Sequence, residues 1–343
     1  MKKRIRFIVN PISGTHDKRA IIALIPKYFS PDHFVTEVLY TEHAGHATEL
    51  AAASAREGWD AVTAIGGDGT VNEVGRGLLN TSTALGIIPC GSGNGLARHL
   101  GIPINHVRAM QILSRMHVDL LDYGMINDHP FFCTCGVGFD AFVSDKFAHA
   151  GKRGFATYIE NTLFEGLKYK PETYEVEIDG NKETVEAFLI ACGNASQYGN
   201  NAYITPGASM SDGLMDVTIM EPFNIVEAPQ IALQLFSKTL KSNSRIKSFQ
   251  CRELKIQRQA PGVVHYDGDP IPCDSLLTIR LIEKGIHIIT NPKGKVNTPP
   301  LLRIFTDIYA GLQDEVESLR QDITTTNRRI RAINKDLLNK LRG

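Results

Sequence analysis

Apolar and polar positions change period in a regular order along the first third of the chain. Residues 5–9 form a short apolar run that reads as a strand. Residues 18–28 carry apolar side chains at helical spacing, ended or kinked around Pro26. Residues 34–40, "FVTEVLY", read as a second strand, and residues 44–57 as an alanine-rich helix stopped by Gly58. Residues 61–65 are an apolar strand, 71–79 a helix, 85–89 a strand, and 95–100 the start of another helix. Strand–helix units of this spacing predict a parallel sheet covered on both faces.

After about residue 120 the pattern shortens. "FFCTCGVGF", "TYEVEID", "TVEAFLIACG", "MDVTIM", "SFQCRELKIQ", "VVHYDGD" and "SLLTIRLI" are strand-like runs separated by turn residues. They predict a second, mainly antiparallel β domain. Helical stretches over residues 152–168 and 227–240 interrupt it, with Pro229 tolerable in a first turn. Residues 300–343 change again. Phe305, Ile308, Leu312, Val316, Leu319, Ile323, Thr326, Ile330, Ile333, Leu337 and Leu341 recur every three or four positions. That is a heptad-like helical stripe with one polar member. The expected organisation is an α/β domain over 1–125, a β-rich domain over 126–290 and a helical, coiled-coil-like tail over 300–343.

Composition narrows the picture. The chain has 343 residues, 43 % of them apolar and 22 % charged, enough for sizeable cores and too apolar for disorder. Lys plus Arg and Asp plus Glu number 37 each, which argues against a uniformly basic nucleic-acid binder. No apolar run reaches bilayer length. "MKKRIRFIVNP" places basic residues before apolar ones, but its apolar stretch is too short for a signal peptide. The reading is a first strand and a cytoplasmic protein. Cys90, Cys133, Cys135, Cys192, Cys251 and Cys273 show no C-x-x-C spacing and read as reduced thiols. Cys133 and Cys135 would face the same way in a strand. His43 and His46 have no second ligand pair and read as surface or structural residues.

The chemistry lies in the loops. "AIGGDGTVNEV" (64–74) sets three glycines around Asp68 where an apolar strand ends. Glycines there let backbone amides approach an anion closely, and the following helix N-terminus favours phosphate. A carboxylate among such amides makes sense if a metal ion or an attacking hydroxyl lies between it and the phosphate. A lone G-D-G is also an ordinary capped turn. Here it has company: "NPISG" (10–14) follows the first predicted strand and "PCGSGNGLARHL" (89–100) follows the fourth. Loops leaving parallel strands on one side converge on one edge, where α/β sheets bind ligands. Neither a dinucleotide G-x-G-x-x-G nor a Walker A loop occurs in the expected context.

These motifs, with "GVGFDA", "SDGLMDV" and "YDGD" in the same order, resemble the diacylglycerol kinase catalytic-domain family of bacterial lipid kinases and sphingosine and ceramide kinases. The likeness covers roughly residues 4–290. It implies a phosphofructokinase-like α/β nucleotide domain and a β-sandwich-like domain with the active site between them. The implied reaction is ATP- and magnesium-dependent phosphorylation of a lipid hydroxyl at a membrane surface. Carried over by position, Asn10, Thr41, Gly66, Gly67, Asp68, Gly69, Thr70, Asn72, Glu73, Gly91 and Ser92 would contact nucleotide. Asp68 would bind magnesium through water or steer the hydroxyl, and Asp122 would support that network. Ser209, Asp212 and Leu214 would hold a structural metal, and Asp140 would touch lipid.

The family's D-G-E turn ends here in Asp269, one methylene shorter, which leaves the general base open among Asp269, Asp267 and Asp68. "SDGLMDV" and "HYDGDP" also read as plain hairpin turns, and Asp140 and Asp122 as caps. Phe139, Phe142, Phe147, Phe155 and Tyr158, near Lys152 and Arg153, would supply an apolar lipid-facing wall or an ordinary core helix.

NAD kinase shares a G-G-D-G loop and is the second enzyme reading, opposed by "NPISG" and "PCGSGN". A catalytically weak, membrane-associated scaffold is the third, opposed by the intact acidic positions. In the tail, acidic residues cluster early and basic ones late, so antiparallel pairing predicts a homo-oligomer. The rivals are an amphipathic helix on an anionic membrane, its basic end supplying attraction, and a helix folded back on the α/β domain.

Overall fold

The computed structural model describes residues 1–14, 17–149, 169–224 and 226–292. The expected helix over 152–168, with Phe155 and Tyr158, and the heptad-like tail lie outside the described residues. So does the side chain of Phe147.

Strands β1 (Lys3–Val9), β2 (Phe34–Tyr40), β3 (Ala61–Gly66) and β4 (Ala84–Pro89) pair in parallel, in the order β2-β1-β3-β4. Every residue of β3 and β4 is buried. Strands covered on both faces by helices have no polar side to show, which is why both read as continuous apolar runs. The covering helices include α3 (His46–Arg56), α4 (Asp68–Leu78), α5 (Gly95–His99) and α6 (His106–Leu113). The 18–28 segment breaks as expected, into α1 (Lys18–Ile22) and α2 (Ile25–Tyr28), with Pro26 in the first turn of α2. Its Phe29 ring packs edge-on against Phe7 at 5.3 Å.

Helix α4 starts three residues earlier than its apolar spacing predicts. Gly67 is extended at its N-cap and Asp68 is the first helical residue. A carboxylate there is favoured by the helix dipole, whereas periodicity registers only Val71 onward. Helix α6 escapes the sequence reading although Asn105 caps it, accepting from the Arg108 amide at 3.1 Å.

The remaining strands are β5 (Val118–Ile126), β6 (His129–Phe131), β7 (Thr134–Gly138), β8 (Glu172–Ile178), β9 (Asn181–Ala187), β10 (Leu189–Gly193) and β11 (Met215–Met220). They continue with β12 (Ile246–Cys251), β13 (Glu253–Gln257), β14 (Gly262–Tyr266), β15 (Asp269–Cys273) and β16 (Leu276–Ile289). One sheet runs β12-β11-β10-β7-β14-β15, wholly antiparallel. It faces β5, β8, β9, β13 and part of β16 across a core that includes Tyr174, Val176, Cys192, Val217, Leu254 and Ile279.

Strand β16 is longer than "SLLTIRLI" suggests. Leu277 and Ile279 fill the sandwich core, while Ile286, Ile288 and Ile289 enter the α/β core. A break in register between Ile282 and Ile286 lets one strand serve both, and Ile288 pairs in parallel with Leu85 of β4. Residues Met1–Lys295 are therefore one compact unit.

The six cysteines are free. Cys133 and Cys135 do not share a face. Cys133 precedes β7 and joins the α/β core, whereas Cys135 lies within β7 and joins the sandwich core.

Candidate active site

The three glycine loops meet. The Asn10 side chain donates to Thr70 Oγ1 at 3.1 Å and its amide to the Ile65 carbonyl at 3.2 Å, tying the first loop to the second. Gly14 sits with φ +63°, where a Cβ would lie 1.8 Å from the Cys90 carbonyl oxygen, so the first loop abuts the third. A Cβ on Gly91 would fall 2.7 Å from Gly67 Cα. These loops touch backbone to backbone, and any side chain at either place would part them. Thr41, at the end of β2, donates its amide to the Val9 carbonyl at 2.9 Å. Ser92 is exposed at the lip of the third loop.

Asp68 is enclosed. Its Oδ2 accepts from the Asn94 amide at 2.8 Å and its Oδ1 from the Gly95 amide at 2.7 Å. It thus clamps the N-terminus of α5, while Asn94 holds the loop through Gly91 at 2.9 and 2.6 Å. Burial pushes the Asp68 carboxyl up; the two amides pull against that. Asn94 is left-handed at φ 52°, a conformation asparagine tolerates well. The sequence reading passed over it.

Glu73 turns away from the loops. Its carboxylate accepts from the Gly45 and Ala47 amides at 2.9 and 3.2 Å and so caps α3. Beside it, the His43 and His46 rings stack 4.6 Å apart and only 11° from parallel. Their ligating atoms and that of Glu49 lie within 4.8 Å of one another. Parallel rings cannot aim in-plane lone pairs at one ion, and His46 Nδ1 already accepts from the Glu42 amide. This pair is structural.

The "YDGD" segment is a tight hairpin between β14 and β15. Asp267 and Gly268 have φ of 49° and 90°, as a type I′ turn requires. The turn is more than a connection. Asp267 Oδ2 accepts from the Phe132 amide and Asn72 Nδ2, each at 2.8 Å. Its Oδ1 accepts from the Cys133 and Thr134 amides at 2.7 and 3.1 Å. Burial raises its pKa against these four donors.

Asp269 is the contrast. The residue reaches solvent on one side, and no hydrogen bond to its carboxylate is found among the described residues. Its carboxylate hangs over Gly69, where a Cβ would come within 3.7 Å of Oδ2. Partial desolvation of the carboxyl where it lies over α4, with the charges of Asp267, Glu73 and Asp68, raises its pKa to about 6, and Arg76 on α4 counteracts them. Of the three acidic residues left open by sequence, two are locked into backbone amides and one is available. Arg76 is the second group that sequence reasoning missed; only the helical stagger behind Gly69 and Glu73 signals it.

Among the described residues, the remaining candidates make no hydrogen bond to Asp68, Asp267 or Asp269. Asp122, 2 % exposed, accepts from the Gly213 and Lys284 amides at 3.0 and 2.7 Å. It fastens the 209–214 turn to the irregular part of β16. In that turn Asp212 Oδ1 accepts from the Leu214 amide at 3.1 Å, and Ser209 Oγ pairs with Ser211 Oγ at 3.3 Å. Asp140, at the start of α7 (Phe139–His149), points inward. Its Oδ2 accepts from Tyr198 Oη and faces His265 Nε2, each at 3.0 Å. Its side chain is 7 % exposed.

Comparison with known proteins agrees with this geometry. The diacylglycerol kinase catalytic domain matches residues 4–126, and the YegS C-terminal NAD kinase beta sandwich-like domain matches residues 133–282. The diacylglycerol kinase of Mycobacterium tuberculosis strain H37Rv is 30 % identical over 284 residues, 79 % of this chain and 91 % of that protein. The diacylglycerol kinase of Bacillus subtilis strain 168 is 27 % identical, covering 78 % and 90 %. The crystal structure of a diacylglycerol kinase from Bacillus anthracis strain Sterne shares the fold, with a TM-score of 0.66 at 23 % identity over 84 % of this chain and 97 % of that one. The chain belongs to the diacylglycerol kinase catalytic-domain family, the ATP-using lipid kinases. Among the described residues, no helix is long and apolar enough to cross a membrane.

Proposed function

We propose that this protein transfers the γ-phosphoryl group of ATP to the hydroxyl of a membrane lipid, with diacylglycerol the first acceptor to test and sphingoid bases or ceramide its rivals. One observation carries the reading: Asp269 is the carboxylate left without a hydrogen-bond partner at the glycine-loop edge, and its pKa is raised to about 6. A base poised near neutrality takes a proton efficiently without being protonated at working pH.

The three loops and the N-terminus of α4 offer amides and a positive dipole end to the phosphates. Asp269 accepts the hydroxyl proton as the lipid oxygen attacks the γ-phosphorus and the bond to ADP breaks. Asp68 and Asp267 keep the loops and the hairpin in register, so catalysis is chiefly positioning. Each Asp68 oxygen accepts one amide, so its remaining lone pairs would hold a hydrated magnesium ion (Mg2+) beside the phosphates. Magnesium there would neutralise charge developing on the transferred group. The acceptor's insolubility in water supports action at a membrane surface, as a peripheral protein.

The test is direct. Purified protein, labelled ATP and magnesium are incubated with diacylglycerol, sphingosine, ceramide and NAD, and the products are separated by thin-layer chromatography. Label in phosphatidate supports the proposal; label only in NADP refutes it.

A further inference from the structure

We propose that the outward face of the Ala228–Ser237 helix, extended by Val226, docks this protein on an anionic lipid bilayer. The proposal rests on the lipid-kinase reading for its partner, because an acceptor dissolved in a bilayer has to be met there.

The helix, "APQIALQLFS", contains no Asp, Glu, Lys or Arg. One side is used: Ile231 is buried and Leu235 packs with it on a satellite core. The other side is not. Val226 is 83 % and Leu233 65 % exposed. Apart from Met1 and Ile12, these are the most exposed large hydrophobic side chains among the described residues. Exposed Pro229 lies between them and half-buried Phe236 follows. Positions 229, 233 and 236 fall on one helical face, and Val226 immediately precedes the helix. A contiguous apolar face of this kind marks an interaction surface, whereas scattered apolar residues do not.

The charges beside it choose the partner. Three ion pairs flank the helix, and in each the cation is the more exposed member. The side-chain exposures are 45 % against 3 % for Lys241–Asp216, 41 % against 29 % for Arg245–Glu227, and 56 % against 32 % for Lys247–Glu221. Exposed Lys238 follows the last turn. The paired cations are thus the members that reach outward, and although Glu183 and Glu186 lie beside Lys247 and Arg245, their exposed ends with Lys238 suit anionic headgroups around an inserted apolar face.

The surface also leads inward. Beneath the helix the ring of Phe223 meets Phe188 at 4.7 Å, and Phe188 meets Phe139 at 4.5 Å. Phe139 opens α7 beside Asp140, whose partner His265 lies two residues before Asp267. The stacked rings thus lead from the docking face to the start of α7, where the buried polar pair Asp140–His265 adjoins the hairpin.

The test compares full-length protein with Val226→Gln/Leu233→Gln. Both side chains are exposed, so the variant keeps its core. Binding is measured by sedimentation with vesicles of 30:70 phosphatidylglycerol and phosphatidylcholine, at about 50 mM salt. Kinase activity is measured on dispersed short-chain diacylglycerol. The variant should bind vesicles roughly 10- to 100-fold more weakly, the loss expected when two aliphatic side chains no longer enter the acyl boundary. Its activity on dispersed lipid should match that of the parent. Unchanged vesicle binding overturns the proposal and leaves the kinase reading intact. Weakened binding with no activity in either protein upholds the docking face and refutes the kinase reading. Unchanged vesicle binding with a smaller sedimentation coefficient for the free variant assigns the face to a second copy instead and also overturns the proposal.

Discussion

Replacing Asp267 by asparagine exchanges one carboxylate oxygen for an amide NH2 and changes almost nothing else in size. The wild-type oxygens each accept two donors, the Phe132 amide and Asn72 Nδ2 on one side and the Cys133 and Thr134 amides on the other. Whichever way the new carboxamide turns, its nitrogen faces two N–H groups. Two buried donors lose their acceptor, at about 1–3 kcal/mol each. Relief of the buried charge, whose penalty raises the Asp267 pKa, offsets part of that. The net expectation is a loss of about 2–4 kcal/mol of stability and, for a chain of this length, roughly 3–6 °C in melting temperature. The assay is urea denaturation followed by circular dichroism, run beside kinase turnover at a temperature where the variant is folded. Asp269→Asn is the control, since Asp269 has no bond to lose. A variant within 0.5 kcal/mol of the parent would falsify the anchor role. Turnover abolished in a fully stable Asp267→Asn, with Asp269→Asn active, would move the base to Asp267.

Asp269→Asn should lower turnover about 100- to 10,000-fold with little change in the KM for ATP, and Asp269→Glu should retain activity; steady-state kinetics decide both. Because the folded pKa of Asp269, about 6, lies above that of an unfolded aspartate, about 3.9, its contribution to stability falls as pH rises through that window. Asp269→Asn should therefore melt slightly higher than the parent at pH 8 and with it near pH 4, by calorimetry. The acid limb of the pH–rate profile should lie near pH 6, and Arg76→Ala, which removes the one nearby cation lowering that pKa, should move it upward. Asp68→Asn should cost about 1–3 kcal/mol, because its new NH2 faces either the Asn94 or the Gly95 amide, and turnover should drop about 100-fold or more; an unchanged urea midpoint refutes the clamp. Truncation after Pro300 should shift the protein to a smaller oligomer in analytical ultracentrifugation if the heptad-like tail self-associates, and an unchanged oligomeric state refutes that pairing.

Local pattern determined a good deal. The strand at Phe34–Tyr40 begins and ends where the β-branched and aromatic run does, and the break before Pro26 falls where proline chemistry puts it. The meeting of three glycine loops also follows from sequence, because parallel strands release their loops on one edge of the sheet. These features depend on near neighbours and on the strand–helix rhythm. Tertiary structure decided the division of labour among the acidic residues. Asp68, Asp267 and Asp269 are the same residue type in similar glycine turns, and no local property separates them. What separates them is who donates to each oxygen: Asn72 reaches Asp267 across 195 positions, and Asn94 and Gly95 reach Asp68 from a different loop. Asp140, which sequence offers as a lipid contact or a cap, is held by Tyr198 and His265, partners that only the tertiary structure shows. The long reach of β16 was hidden for a related reason. A strand that leaves one core for another changes its buried face at an irregularity, and a fixed period stops there while the chain goes on.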